Sequence, residues 1–260
     1  MTKLIIQIPC FNEEDTLPVT LAALPTHIEG IDVIERLVID DGSHDKTSEI
    51  AAQHNVEHII KFSKNRGLAR AFMAGIEGAL EAGADFIVNT DADNQYCADD
   101  IKTILIPIIS GNAEIVVGAR PINNISHFSP IKKYLQRIGS WVVRLVSGTK
   151  IDDAPSGFRA FSAAAAMKIN VFSEYTYTLE TIIAAGQQGI TITSVPIRTN
   201  GQLRQSRLIK SIPSYVWRSI VTIFRIFLYY RPLRSFGILG SIPFALGFLL
   251  GMRYLIYWLE

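Results

Sequence analysis

The sequence predicts an α/β fold in which helices cover both faces of a mostly parallel β-sheet, as in Rossmann-like proteins. Short apolar runs alternate with helical patterns through the first 120 of the 260 residues. The runs are almost continuously apolar, which is typical of strands buried on both faces of a parallel sheet. Hydrophobic residues make up 48% of the chain, enough for a sizeable core.

Each apolar run has the length of a strand, and each periodic segment has the length of a helix. The predicted strands are Leu4–Ile8, Leu37–Ile39, Val56–Phe62, Asp85–Asn89, Ala113–Val117 and Thr191–Ile197. The predicted helices are Thr16–Leu24, Asp45–His54, Arg66–Ala82, Ala98–Ile109, Pro130–Ser147 and Tyr177–Gln188. Beyond residue 120 the alternation loosens, and the stretch DDAPSGFRAF at 152–161 interrupts it.

The last part of the chain differs from the rest in charge. Residues 1–198 carry 17 Lys and Arg against 23 Asp and Glu, whereas residues 199–260 carry 8 against 1. A mildly acidic body with a basic, apolar tail indicates a globular domain that attaches to an anionic surface. The content of Ile, Leu, Phe and Tyr in this tail favours a membrane over nucleic acid, so no nucleic-acid partner is expected.

Two helices are predicted in this tail. Pro213 suits the first turn of an amphipathic helix, whose arginines Arg218 and Arg225 lie opposite one apolar stripe. The stripe consists of Val216, Ile220, Ile223, Phe227 and Tyr230. An ordinary core-facing helix is the alternative, and a helix lying in a membrane interface is the favoured interpretation.

The second predicted helix is the uncharged run of 18 residues from Ser235 to Met252. As a helix it would be about 27 Å long, close to the ~30 Å thickness of the hydrocarbon core of a bilayer. It is either a membrane span, a re-entrant or hairpin segment, or the first span of a longer protein. The domain prediction is therefore a globular domain at 1–203, a basic amphipathic juxtamembrane segment at 204–234, and a transmembrane or membrane-associated segment at 235–260. No signal peptide is apparent at the N-terminus, so the globular domain is expected in the cytoplasm.

Polar clusters follow three of the predicted strands: PCFNEED after the first, DDGSHD after the second and TDADNQY after the fourth. Ligands of parallel sheets bind beyond the carboxyl ends of the strands, where these clusters would meet. Asp91 and Asp93 occupy alternate positions, so in an extended segment their carboxylates share one side. They could hold Mg²⁺ or Mn²⁺, which needs few carboxylates when substrate phosphates complete the site. Asp and Asn that only form turns and helix caps are the alternative.

Together the motifs IPCFNEED, VIDDGSHDKT, NRGLARA, NTDADNQY, VVGAR and SGFRAF resemble family 2 glycosyltransferases of the GT-A fold, over roughly residues 3–200. The later RQSRL, followed by a basic amphipathic helix and an apolar segment, is similar to the polyprenyl-phosphate branch, such as dolichyl-phosphate mannose synthases. Cys10 stands where relatives often carry an aromatic or small residue.

The resemblance implies a nucleotide-sugar site and a metal site. The residues that would bind the nucleotide sugar are Pro9, Asn12, Glu13, Asp41, Ser43 and Asp91. The metal and the diphosphate would be bound by Asp91, Asp93 and Gln95.

The resemblance also implies catalytic and acceptor-binding residues. Asp93, Arg120 and Asp153 would be catalytic, with Arg120 facing phosphate oxygens and Asp153 near the sugar or the acceptor. Arg204 and Arg207 would bind the acceptor phosphate or the diphosphate. The alternatives are a structural ion pair of Arg120 with Asp153, and solvated charges at 204 and 207.

The function implied is metal-dependent, inverting transfer of a sugar from a UDP- or GDP-linked donor to a polyprenyl phosphate of dolichyl or undecaprenyl type. That acceptor is already anionic and needs no general base, only desolvation and positioning. A saccharide acceptor is the alternative, and it would require a carboxylate base, for which Asp153 or Asp152 is the candidate. A nucleotidyltransferase and a non-enzymatic membrane scaffold are less favoured. The sugar, the base, the lipid length and a homo-oligomeric state stay open.

Overall fold

A mostly parallel sheet lies at the centre of the computed structural model, which describes residues 1–122, 130–171, 177–201, 216–217, 220–221, 224–225, 228 and 232–259. The strands are β1 (Lys3–Cys10), β2 (Val33–Asp40), β3 (His58–Lys61), β4 (Phe86–Asn89), β5 (Ile115–Ala119), β6 (Arg159–Ser162) and β7 (Ile192–Pro196). The helices are α1 (Leu17–Ala23), α2 (Thr47–Gln53), α3 (Leu68–Glu81), α4 (Ile101–Ile109), α5 (Pro130–Ser147), α6 (Ala163–Lys168), α7 (Thr178–Gln188) and α8 (Pro232–Leu259), with a 3₁₀ turn at Ala98–Asp100.

The strand order in this sheet is β3-β2-β1-β4-β6-β5-β7. β6 is antiparallel to both of its neighbours, β4 and β5, whereas the other pairs are parallel. The predicted mostly parallel α/β fold is confirmed. The prediction lacked β6 and α6, which occupy and follow the stretch that had appeared to interrupt the pattern.

Both faces of the sheet are buried, as the continuous apolar strands predicted. On β1, Ile6 and Ile8 belong to a hydrophobic cluster on one face of the sheet. Ile5 points in the opposite direction and belongs to the cluster on the other face. A third, smaller cluster joins α5 to α7 through residues such as Val143 and Ile182. Because strand side chains alternate in direction, this division follows from the sequence of β1 alone.

One edge of the sheet collects the segments that carry the polar motifs. The strands β1, β2, β4, β5 and β7 all point their carboxyl ends to this edge, because β5 is antiparallel to β6 and β6 is antiparallel to β4. The segment that leads into β6 lies at the same edge for the same reason. A ligand in such a sheet binds beyond these ends.

α8 is a helix of 28 residues, and all of its described side chains are exposed. Its part Leu239–Leu259 is long and apolar enough to cross a membrane, with a mean hydropathy of 1.5. The predicted uncharged run thus forms one continuous helix with its flanking residues. Of the predicted amphipathic stripe, Val216 and Ile220 are helical, whereas Ile223, Phe227 and Tyr230 lie outside the described residues. The three-part division of the chain stays a prediction.

Candidate active site

The loops after β1 and β2 are joined by reciprocal hydrogen bonds. The backbone N–H of Asn12 donates to Ser43 Oγ at 2.9 Å, and the N–H of His44 donates back to Asn12 Oδ1 at 2.8 Å. One residue further, the N–H of Glu13 donates to Thr47 Oγ1 at 2.9 Å. The structure therefore brings together Asn12, Glu13 and Ser43, which the sequence had assigned to nucleotide-sugar binding from two separate motifs. Pro9, assigned with them, is buried in β1, beside β2.

Turn formation accounts for part of the DDGSHD motif, in line with the turn part of the alternative interpretation. Asp40 accepts the backbone N–H of Ser43 at 2.8 Å and the hydroxyl of Ser48. Asp45 accepts the backbone N–H of Thr47 at 3.0 Å, at the start of α2. These two carboxylates shape the loop.

Asp41 fastens this loop to the start of α3. Its two carboxylate oxygens accept the backbone N–H groups of Arg66 at 2.6 Å and of Gly67 at 2.9 Å. Burial raises the pKa of Asp41, and the two N–H groups lower it only in part. Gly42 has a φ of +71°, and a Cβ there would lie 2.3 Å from the carbonyl carbon of Lys64, so only glycine fits the turn.

The loop after β4 carries the three residues predicted to bind metal. Gln95 Nε2 donates to Asp91 Oδ2 at 2.6 Å, and the Gln95 backbone N–H donates to Asp93 Oδ1 at 3.3 Å. Asn94 has a φ of +52°, which turns the chain between the two aspartates and Gln95. Both aspartates are partly exposed at the edge of the sheet. The structure thus places Asp91, Asp93 and Gln95 in one cluster.

Asp91 rests against the backbone of Gly157. A Cβ on Gly157 would lie 3.0 Å from Asp91 Oδ1 and 2.9 Å from Tyr177 Oη. The Gly157 N–H donates to Tyr96 Oη at 3.0 Å, and its carbonyl accepts from Asn89 Nδ2 at 2.8 Å. The glycine of SGFRAF is therefore required by close packing beneath the Asp91 carboxylate.

Arg120 and Asp153 form a bidentate, buried ion pair. Arg120 Nε donates to Asp153 Oδ2 at 2.6 Å, and Nη2 donates to Oδ1 at 3.0 Å. Burial opposes the charge on the guanidinium, but attraction by Asp153 outweighs it and raises the pKa of Arg120, with a smaller contribution from Asp91. The structural ion pair weighed from the sequence is therefore present. The catalytic roles of both residues stay predictions.

Arg159 was missed as a site residue by the sequence prediction, although the motif that contains it was noted. It is fully buried at the start of β6 and donates to the carbonyls of Ser156 at 2.9 Å and of Ala154 at 2.8 Å, and to the Thr181 hydroxyl. Burial lowers the pKa of Arg159 to about 10. Through Ser156 and Ala154 it fixes the segment that joins Asp153 to Gly157. An arginine between aromatic residues in a short run was the available signal.

The segment after β7 runs antiparallel to the loop after β4 that carries Asp91 and Asp93. Thr199 pairs with Tyr96, and Asn200 Nδ2 donates to the carbonyls of Asn94 at 2.9 Å and of Tyr96 at 3.1 Å. The described chain thus reaches residue 201 beside the Asp91 loop. Arg204 and Arg207, predicted to bind phosphate, lie outside the described residues.

The donor set of this edge fits a hard divalent cation that substrate completes. Asp91 and Asp93 supply two carboxylates, and the Gln95 side chain lies beside them, with its Nε2 donating to Asp91 at 2.6 Å. Within the described ranges, no three His, Cys, Asp or Glu side chains form a closed metal cluster. Mg²⁺ is commonly held by one or two carboxylates together with substrate phosphates, so two aspartates are sufficient.

Comparison with known sequences identifies several similar proteins. The family model described as Glycosyl transferase family 2 matches residues 5–170. UDP-N-acetylglucosamine–dolichyl-phosphate N-acetylglucosaminyltransferase of Methanococcus voltae is 34% identical over 74% of this chain and 83% of that protein. Undecaprenyl-phosphate mannosyltransferase of Micrococcus luteus is 28% identical over 75% of this chain and 82% of that protein.

Comparison with solved structures supports the fold. A crystal structure of glucosyl-3-phosphoglycerate synthase from Mycobacterium tuberculosis, in complex with Mn²⁺, UDP and glucosyl-3-phosphoglycerate, superposes with a TM-score of 0.67. The match covers 88% of this chain and 80% of that chain at 12% identity. Another structure of that synthase, with Mn²⁺, UDP and phosphoglyceric acid, gives 0.69 at 14% identity, covering 87% and 78%. This likeness confirms the predicted GT-A type of fold.

Proposed function

The chain belongs to glycosyl transferase family 2, and from this premise we propose that it transfers a sugar from a nucleotide-sugar donor to a polyprenyl phosphate, with inversion and with Mg²⁺ or Mn²⁺. The family assignment makes it a glycosyltransferase. The observation that carries the choice of acceptor is the similarity to transferases named for dolichyl phosphate and undecaprenyl phosphate. The predicted resemblance to the polyprenyl-phosphate branch is confirmed by those relatives.

The nucleotide-sugar donor would bind at the carboxyl ends of β1, β2 and β4. The joined loops of Asn12 and Ser43 would receive the nucleoside, together with Glu13, whose backbone N–H is bound by Thr47, and Asp41, which fastens its loop to the start of α3. Asp91 and Asp93, with Gln95, would hold the cation and through it the diphosphate. A bound divalent cation would stabilise the negative charge that develops on the leaving diphosphate.

The acceptor half belongs to the segments after β5 and before β6. Asp153 is buried and already engaged by Arg120 on both oxygens, so it is poorly suited to remove a proton. A phosphate acceptor does not need that proton removed, whereas a sugar hydroxyl does. The ion pair therefore favours an acceptor that arrives as an anion. In this proposal Arg120 and Asp153 orient the sugar and acceptor.

The exposed apolar helix α8 supports a lipid acceptor. Its described side chains are uncovered over 28 residues, and a soluble protein rarely exposes an apolar surface of this size. We place the catalytic domain at the cytoplasmic face of the membrane, where a polar donor and a lipid-bound phosphate can meet.

The test is product analysis with purified full-length protein. The protein is incubated with a polyprenyl phosphate, Mn²⁺ or Mg²⁺, and in separate reactions UDP- and GDP-linked sugars. A lipid product heavier by one hexose or N-acetylhexosamine residue supports the proposal and identifies the donor. The absence of lipid product, together with sugar transfer to a saccharide acceptor in parallel reactions, would replace it by the alternative acceptor class.

A further inference from the structure

Helix α5 turns its large apolar side chains toward solvent. Tyr134, Ile138, Trp141 and Leu145 are 64%, 39%, 56% and 71% exposed. Their spacings of 4, 3 and 4 residues place them on one face of the helix. We call these four residues the α5 apolar face.

The opposite side of α5, which packs on the catalytic domain, is small and partly polar. Among the described side chains of α5, those of Ser140, Val143 and Ser147 are buried, and Val143 packs, with the partly buried Val146, in the cluster shared with α7. Ser140 Oγ accepts the backbone N–H of Ala154 at 3.2 Å. In a helix that only covers a soluble domain the larger apolar residues point inward, whereas the four residues of the α5 apolar face point to solvent.

The charges of α5 are of one sign. Its four ionisable residues of the Asp, Glu, Lys and Arg types are Lys132, Lys133, Arg137 and Arg144. Arg137 is exposed and lies one turn from Tyr134 and Trp141, on the same face. Arg144 lies 3.9 Å from Asp152, an exposed acid beyond the end of the helix. An apolar face with Trp and Tyr and basic residues beside it matches the headgroup region of an anionic bilayer.

We propose that α5 is a membrane-contacting helix of the catalytic domain, and that its apolar face inserts into the interface of a bilayer containing anionic lipids. This surface is separate from α8. It adds to the proposed function a direct contact between the catalytic domain and the membrane, whereas α8 alone would only attach the chain to the bilayer. Ser140 of α5 binds the backbone of Ala154, next to Asp153, so contact through α5 would bring this part of the catalytic edge close to lipid phosphates.

A second copy of the chain fits this face less well than a bilayer does. In a symmetric dimer the same patch faces itself, so the basic residues of both helices would be brought together. α5 contains no Asp or Glu, so the two helices would bring only basic charged residues together. Anionic headgroups supply the opposite charge.

Fluorescence of Trp141 in the full-length protein tests this inference. Trp217→Phe and Trp258→Phe leave Trp141 as the sole tryptophan of the three in the chain. The protein is bound to vesicles of phosphatidylcholine and phosphatidylglycerol, with or without bromine atoms at shallow positions of the acyl chains. Trp141 is expected to shift its emission to the blue and to lose most of its fluorescence in the brominated vesicles. Leaving out phosphatidylglycerol should reduce this quenching.

The matched control moves the single tryptophan to the far edge of the sheet. Ile59→Trp, in a protein that also carries Trp141→Phe, reports from β3, where Ile59 is 39% exposed. Leu145→Trp in the same background repeats the test on α5 at an independent position. Quenching at 141 and 145 no stronger than at 59 would overturn the proposal, as would a blue shift that bromine leaves unquenched, since that result indicates a second protein copy. Because no sugar transfer is measured, the outcome is independent of the proposed reaction.

Discussion

The acidic residues at this edge of the sheet differ in burial. Asp41, which binds two backbone N–H groups, and Asp153, which binds the Arg120 guanidinium, are both buried. Asp91 and Asp93 accept hydrogen bonds from Gln95 but remain partly exposed. Their exposure makes these two the carboxylates at this edge that are most accessible to a cation and a diphosphate.

Replacing Asp93 by Asn should lower the turnover number by roughly a hundredfold or more, the scale of removing one group that stabilises developing charge. The amide is similar in shape but carries no charge, so the circular dichroism spectrum and the unfolding midpoint should stay unchanged. Chelation of divalent cations should silence the wild type in the same assay.

Asp99→Asn is the matched control, because Asp99 follows the same loop and is exposed. It should keep wild-type turnover. Full activity of the Asp93→Asn protein, or of the wild type in a chelator, would exclude the two-carboxylate cation site.

Removing one member of the buried Arg120–Asp153 pair should destabilise the fold strongly. Arg120→Ala leaves the Asp153 carboxylate buried without its bidentate partner, which should lower the free energy of unfolding by about 3–5 kcal/mol. The double variant Arg120→Met with Asp153→Leu should recover a large part of that loss, since it buries no unpaired charge. Denaturant titration measures both.

Arg36→Ala provides the comparison, because Arg36 makes a 2.8 Å ion pair with Glu57 at a partly exposed position. Its cost should be about 0.2–1 kcal/mol. Equal losses of unfolding free energy for Arg36→Ala and Arg120→Ala would contradict this prediction, because burial of the Arg120–Asp153 pair would then not increase the cost of breaking it.

The clusters at the catalytic edge were predictable because polar residues follow directly after apolar strands there. Asp91 and Asp93 were identified in this way, and the position of β4 beside β1 confirms that they lie at this edge of the sheet. Arg159 could not be identified in this way, because it lies inside a short apolar run and not after one. Its burial depends on partners such as Thr181, which is distant in the chain. The local sequence shows only an arginine between aromatic residues, and the long-range hydrogen bonds that fix its position leave no pattern of their own.

The strands with uninterrupted apolar runs were predicted to within a few residues, and β6 was not. β6 has only four residues and starts with the buried Arg159. Its antiparallel direction comes from its place between β4 and β5, which the sequence of the strand does not encode. α6, with six residues directly after β6, is too short for a helical period to be apparent.

The contact between α5 and α7 depends on a glycine. A Cβ on Gly186 would lie 2.1 Å from the carbonyl oxygen of Ser147, and a backbone atom cannot move aside cheaply. Gly186→Ala should therefore push the two helices apart and lower the free energy of unfolding by about 1–3 kcal/mol.

Gly139→Ala is the control within α5, since a Cβ there meets no atom within 4 Å. Alanine should stabilise that helix position by about 0.5–1 kcal/mol. Opposite signs for the two substitutions in a denaturant titration are the expected result. A neutral Gly186→Ala would mean that the α5–α7 contact is looser than the structure gives.

At the scale of the whole molecule, a buried catalytic core carries a long helix that no described residue covers. Deleting residues 232–259 should move the protein from the membrane fraction to the soluble fraction. What remains should bind anionic vesicles weakly and with strong sensitivity to salt, because α5 adds basic charge and only a small apolar face. Flotation with liposomes at low and high salt measures both effects.

The deletion should also affect activity on short-chain and long-chain acceptors differently. Activity on a short-chain, water-soluble prenyl phosphate should persist, whereas activity on a long-chain acceptor in vesicles should fall. A full-length protein that stays soluble without detergent and does not float would contradict the membrane assignment.

In the proposed reaction two anions, the donor diphosphate and the acceptor phosphate, meet between the catalytic domain and the membrane segments. Asn200 is hydrogen-bonded to the loop after β4 that carries Asp91 and Asp93, and Arg204 follows it by four residues in the sequence. An extended chain spans at most about 3.6 Å per residue, so four residues can reach no further than about 14 Å. We therefore expect Arg204 and Arg207 to contact the diphosphate or the acceptor phosphate, which a guanidinium binds in bidentate fashion.

Arg204→Ala should lower turnover at saturating donor and acceptor by an amount equivalent to about 2–4 kcal/mol, as for the loss of one transition-state contact. Arg204→Lys keeps the charge but lacks the planar fork, so its turnover should lie between that of Arg204→Ala and the wild type. Arg207→Ala should behave like Arg204→Ala. Arg225→Ala, at an exposed helical position further along the chain, is the control and should keep the wild-type rate. Wild-type turnover in both alanine variants at 204 and 207 would make these arginines solvated or lipid-facing charges, and the acceptor phosphate would then have to be bound by Arg120 and its neighbours.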